Sequence, residues 1–131
     1  AALAADVANP FRVEAELLKL KAGQAGAVRV TIAVPKDHHL YKDMIEIVVT
    51  QSGALQVGAP SLPPGLSKPD PADPSTSREV YDMNVIIEVP VAAMSAKGRH
   101  PLTLSVTYQG CKKSLCWMPQ TDIIQATVLV Q

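Results

Sequence analysis

From Phe11 the chain alternates. Phe11, Val13, Ala15 and Leu17 are apolar, while Arg12, Glu14 and Glu16 between them are charged, the two-residue period of a strand with one buried face. A helix over Glu14 to Leu20 is the competing reading. Val28, Val30, Ile32 and Val34 repeat the alternation with β-branched residues until Pro35, and a strand is predicted there. Further strands are predicted over Met44 to Thr50, Leu55 to Gly58, Val80 to Val89, Leu102 to Tyr108 and Ile123 to Val130, separated by segments rich in Gly, Pro, Asp and Ser. With no convincing helix, heptad or internal repeat, this pattern predicts an all-β fold, a β-sandwich.

Pro60 to Pro74 interrupts the pattern with Pro60, Pro63, Pro64, Pro69, Pro71 and Pro74. Proline donates no ladder hydrogen bond, so this stretch is excluded as a central strand. The strands before it are too few to close a core, so a long loop of one domain is predicted rather than a linker. Proline stiffens such a loop and lowers the entropy lost when it takes a fixed position.

A chain of 131 residues fits one domain with its own core, and residues 10–131 are assigned to it. Ala1 to Ala5 resembles the small-residue tail of a secretory signal peptide, so residues 1–9 are expected to be a disordered or signal-peptide remnant. Basic and acidic residues balance at 12 each, leaving no net field to attract nucleic acid or an anionic membrane. The apolar runs fall far short of the roughly 20 residues that cross a bilayer, and this piece is expected to be soluble.

Cys111 and Cys116 are the only cysteines. Cys111 follows a predicted strand, with Gly110 marking the break, and Cys116 precedes the last strand. Both sulfurs then sit at one end of a hairpin-like connection, where the backbones can come within the approximately 4.4 to 6.8 Å between Cα atoms that a disulfide needs. One reading is a structural staple. Closing so short a loop removes only about 2 kcal/mol of unfolded-state entropy, against about 4.7 kcal/mol for a long one, so stability is a weak motive for this placement. The other reading is a redox-active pair: Lys112 and Lys113 follow Cys111, and ammonium groups near a sulfur favour the reactive thiolate. Leu115, Trp117 and Met118 supply apolar surface for shielding, for docking or for the core. A third reading is a copper module using His38, His39, Cys111, Cys116, Met44, Met83, Met94 and Met118. Adjacent histidines on a strand point to opposite faces, which disfavours both reaching one ion.

The run Tyr108-Gln109-Gly110-Cys111, then Leu115-Cys116 with Pro119 close behind, resembles the active-site signature of the N-terminal periplasmic domain of the DsbD family of thiol:disulfide interchange proteins. His39-Leu40-Tyr41-Lys42 followed by Ile45-Glu46-Ile47, Leu62-Pro63-Pro64-Gly65, and Glu79-Val80-Tyr81 resemble further motifs of that family, in the same order, over roughly Val28 to Val130. The resemblance implies a single immunoglobulin-like β-sandwich in the periplasm, part of an inner-membrane protein. Its cysteine pair would act as a protein-disulfide reductase, with no metal or organic cofactor. Electrons would come from the thioredoxin-like domain of the same protein and pass to periplasmic disulfide isomerases or cytochrome-maturation thioredoxins.

The resemblance also implies that a cap loop covers the disulfide, at Asp73, Pro74 and Ser75 in this chain, and that Cys116 is the sulfur joined to partners. Lys112 and Lys113 argue on charge for Cys111 instead. Two departures stand out. The cysteines are separated by four residues, Lys112 to Leu115, one fewer than is common in the family. The cap also lacks the family's usual aromatic, a role that Trp117, His39 or Tyr41 is expected to share.

Overall fold

The computed structural model describes residues 9–93, 97–113 and 115–131. Of the expected terminal remnant only Asn9 falls among these, and Met94 lies outside them.

Two four-stranded sheets form the sandwich. One has the order β1 (Arg12–Ala15), β3 (Ala25–Ala33), β9 (Val85–Ala93), β6 (Leu55–Val57); the other has β2 (Leu18–Leu20), β13 (Gln120–Val130), β10 (Gly98–Tyr108), β5 (Glu46–Gln51). Alternation decides which side chains meet between them. On β9, Val85, Ile87, Val89, Val91 and Ala93 are buried while Ile86, Glu88 and Pro90 face outward; on β10, Leu102, Leu104, Val106 and Tyr108 are buried. Both sets belong to one core with Val28, Val30, Ile32, Ala126, Val128 and Val130. Burying each such large aliphatic side chain stabilises the fold by about 1.5–3 kcal/mol.

The helix considered over Glu14 to Leu20 does not form; β1 and β2 occupy that stretch. The predicted alternation fails at Leu17, which is 51% exposed. The cause is a change of sheet: the Glu16 amide still bonds to Arg29 beside β1, whereas Leu18 pairs parallel with Val128 of β13. The inward positions thereby pass to Leu18 and Leu20, both packed with the core.

A third, five-stranded sheet was not expected. Its order is β12 (Leu115–Cys116), β11 (Gly110–Lys112), β4 (His39–Tyr41), β8 (Ser77–Tyr81), β7 (Leu66–Pro69). The predicted strand from Val80 to Val89 is therefore two strands in different sheets. They part at Asp82 to Asn84, where the Asn84 side chain accepts the Val34 amide proton at 2.9 Å. The proline-rich loop is also partly structured: Leu66–Pro69 pairs antiparallel with β8. It lies at the sheet's edge, the place where a strand tolerates proline.

Candidate redox site

The third sheet has two unlike faces, and the sequence alternates between them. Leu40, Tyr81 and Trp117 turn inward to the main core, joined by partly buried Leu115. Tyr41, Val80, Cys111 and Cys116 form a separate small cluster with Met44 packed on it. The registers Cys111↔Cys116, Cys111↔His39 and Tyr41↔Val80 explain this division, since opposed residues of antiparallel strands share a face.

The β11–β12 hairpin is held at its base by the Trp117 amide, which donates to the Gly110 carbonyl at 2.9 Å. Gly110 is required there: a Cβ would lie 2.1 Å from a Phe11 ring carbon. Lys112 stands opposite Leu115, and the chain leaves β11 through Lys113 at φ 56°. That register places residues five apart directly opposite each other, so the four-residue spacing brings the sulfurs together. Cys111 and Cys116 form a disulfide with S–S 2.03 Å and Cα–Cα 4.0 Å. The backbone separation is shorter than expected because the two residues are cross-strand neighbours, the closest approach an antiparallel pair offers. Cys111 is fully buried and Cys116 is 8% exposed.

The predicted surroundings sort themselves by face. Tyr41 packs in the disulfide cluster, and His39 meets its ring edge-on at 5.3 Å. Trp117 follows Cys116 and so turns to the opposite face, where its ring lies against Phe11 and stacks on His38. Lys112, one residue from Cys111, also alternates away from the disulfide face. Lys113 instead lines a groove of about 430 Å³ on that face, together with His39, Tyr41, Lys68, Arg78 and Val80. Asp73, Pro74 and Ser75 are exposed at the tip of the β7–β8 hairpin, where Asp73 organises its own turn. Its carboxylate accepts the Ser75 hydroxyl at 2.6 Å and the Ser75 amide at 3.2 Å, and its carbonyl accepts the Thr76 hydroxyl at 2.9 Å. The part of this hairpin that lines the groove is Lys68, Pro69, Pro71, Arg78 and Val80.

Sequence reasoning missed Val80, Met44 and Arg78 at this site. The Arg78 guanidinium lies 3.6 Å from the centre of the Tyr41 ring and pairs with Asp43 at 2.6 Å, an ion pair that raises its pKa. It thereby clamps the short 3₁₀ turn Lys42–Met44 that carries Met44. Alternation offered a signal, since Arg78 and Val80 share a strand face, but only once β8 is recognised as a strand.

Glu79 faces the other way and ties three of the motifs together. It pairs with Lys42 at 3.0 Å and accepts the Gly65 amide proton, contacts that hold its pKa below the usual value, the Gly65 bond contributing most. Tyr81 donates its hydroxyl to the Pro63 carbonyl, and burial, with Glu79 nearby, pushes its pKa up to about 12. Gly65 has no room for a side chain, as a Cβ would lie 2.6 Å from the Val80 carbonyl oxygen.

The family model described as "Thiol:disulfide interchange protein DsbD, N-terminal" matches residues 4–128. The chain belongs to this family. Its fold is the immunoglobulin-like β-sandwich of the DsbD N-terminal domain. The Neisseria meningitidis DsbD N-terminal domain in the reduced form superposes with a TM-score of 0.64 at 23% identity, over 96% of this chain and 97% of that one. A second structure, the complex between the DsbD N-terminal and PilB N-terminal domains of the same organism, gives 0.64 at 23% identity over 94% and 90%. No curated protein sequence matches the chain.

Of the residues named for a copper module, Cys111, Cys116 and Met44 share one cluster and His39 stands opposite Cys111. His38 lies in the turn before β4 with its ring stacked on Trp117, while His39 sits beside Tyr41. Among the described residues no three His, Cys, Asp or Glu side chains gather to hold an ion, and no helix is long and apolar enough to cross a membrane.

Proposed function

We propose that this DsbD N-terminal domain is a protein-disulfide reductase module of the periplasm, carried by an inner-membrane protein. It takes reducing equivalents from the thioredoxin-like domain of the same protein. It passes them to periplasmic disulfide isomerases or cytochrome-maturation thioredoxins.

The observation that carries this reading is the disulfide's position. It joins a two-residue edge strand to its neighbour, with Cys116 on the edge and the more exposed of the two residues. An edge strand leaves one side open to an approaching chain. A donor thiolate attacks Sγ of Cys116 and expels Cys111 as a thiolate; the donor's second thiol then resolves the mixed disulfide. The donor ends as a disulfide and the domain as two thiols, a transfer of two electrons. With an oxidised acceptor the steps reverse, beginning with the Cys116 thiolate. Lys113, on the disulfide side of the hairpin, favours thiolate there. The complex of the Neisseria DsbD N-terminal domain with the PilB N-terminal domain supports an encounter of this kind. The cap role assigned to Asp73, Pro74 and Ser75 passes, in this reading, to Tyr41, Met44 and Val80, which belong to the same cluster as the disulfide.

The test is trapping in the periplasm with single variants. Cys111→Ser is expected to accumulate mixed disulfides through Cys116, identified by mass spectrometry, while Cys116→Ser accumulates few. An absence of trapped partners with both variants would overturn the exchange function.

A further inference from the structure

His39 stands directly opposite Cys111 on β4, just as Cys116 stands opposite Cys111 on β12. Opposed residues of antiparallel strands hold their Cβ atoms roughly 4.5–5.5 Å apart on one face of the sheet. Cys116, Cys111 and His39 therefore form one row across three strands. The His39 ring is half-buried, braced by Tyr41 and open to the groove. Cys111 is wholly buried, and a buried thiol surrenders its proton reluctantly unless a base is placed beside it.

We infer that His39 accepts the proton of the Cys111 thiol when that thiol closes the intramolecular disulfide and releases a reduced partner. The inference rests on the exchange function proposed above. In this step the Cys111 proton moves to the imidazole, the Cys111 sulfur bonds to Sγ of Cys116, and the bond from Cys116 to the partner breaks. The partner leaves with the electron pair as a thiolate, so one disulfide is exchanged for another and no further oxidant is needed.

The surroundings favour an imidazole that is neutral and ready to accept. Burial lowers the His39 pKa first, His38 and Arg78 of β8 lower it further, and Lys68 of β7 adds to this against the opposing pull of Asp82. Tyr41, Asp37 and Lys113 complete the ionisable groups around the groove. His39 thus remains a base into mildly acidic solution.

The experiment follows the reduced protein reacting with a nitroaryl disulfide reagent whose thiolate product is coloured. The first release marks modification of Cys116 and the second marks closure by Cys111. In the parent protein the second rate is expected to change less than about threefold between about pH 6.5 and 8. In His39→Gln it rises about tenfold with each pH unit over that range, following ionisation of the unaided thiol. His100→Gln, on β10 and outside the site, keeps the parental profile. A parental profile in His39→Gln overturns the inference and leaves the exchange function standing, whereas no second release in the parent overturns both. Should His39→Gln fold poorly, the parent decides by NMR: the His39 titration midpoint moves between the oxidised and reduced forms if the ring faces the thiol. An unchanged midpoint overturns the assignment.

Discussion

Glu79 shows how one side chain makes separate stretches of sequence interdependent. Lys42 comes from the tyrosine-containing stretch and Gly65 from the proline turn, and both are bound by a carboxylate in the re-entry strand. The motifs were visible in the sequence as isolated short runs; their mutual contacts were not, because a motif's order along the chain says nothing of which side chains meet. The charge has a readable consequence. The folded-state pKa of Glu79 is depressed below the ordinary 4.5. Its contribution is therefore present above the unfolded value and lost as pH falls through the folded one. Glu79→Gln keeps an acceptor for Gly65 but removes the charge. Its melting temperature is expected to lie below the parent's at about pH 7, with the gap closing in acid as the parent's carboxylate is protonated. Thermal unfolding of both proteins across the acid range checks this; a gap that persists undiminished to the lowest pH would refute it.

Strand length governed how much of the architecture could be read in advance. β3, β10 and β13 alternate over nine or eleven residues and reveal themselves, while the strands of the third sheet have two to five. So short a run carries no usable period, and its proline content disguised β7. The same shortness hid the clamp: Arg78 reaches Tyr41 and Asp43 only because β8 lies beside β4. The cation–π contact contributes about 0.5–1 kcal/mol and the ion pair about 0.2–1 kcal/mol, the latter reduced by screening because Asp43 is 66% exposed. Arg78→Ala loosens the cover formed by Tyr41 and Met44, and reduction of the disulfide by a small thiol is expected to quicken about three- to tenfold. Asp43→Asn produces a smaller change that vanishes in high salt. Stopped-flow reduction of the parent and both variants separates the two contacts; an unaltered rate in Arg78→Ala would show that the clamp does not guard the sulfurs.

The molecule as a whole divides its tasks between the large core and the small sheet. The sandwich core holds the fold through residues from all eight of its strands, whereas the disulfide sits in a cluster of four buried residues on the far face of the third sheet. A bond that opens and closes, as the proposed exchange requires, is best tolerated where its loss leaves the core intact. The Cys111→Ala, Cys116→Ala double variant tests that division. The chain-entropy account assigns so short a loop about 2 kcal/mol, and losing it should lower the denaturation midpoint without abolishing cooperative unfolding. Reduced parent protein should match the variant closely, because both lack the same cross-link and the alanines add only small cavities. Far-ultraviolet circular dichroism and urea titration of the three forms provide the comparison. If the double variant and the reduced parent both unfold without denaturant, the bond is a staple that the sandwich needs, and the separation of core from site fails with it.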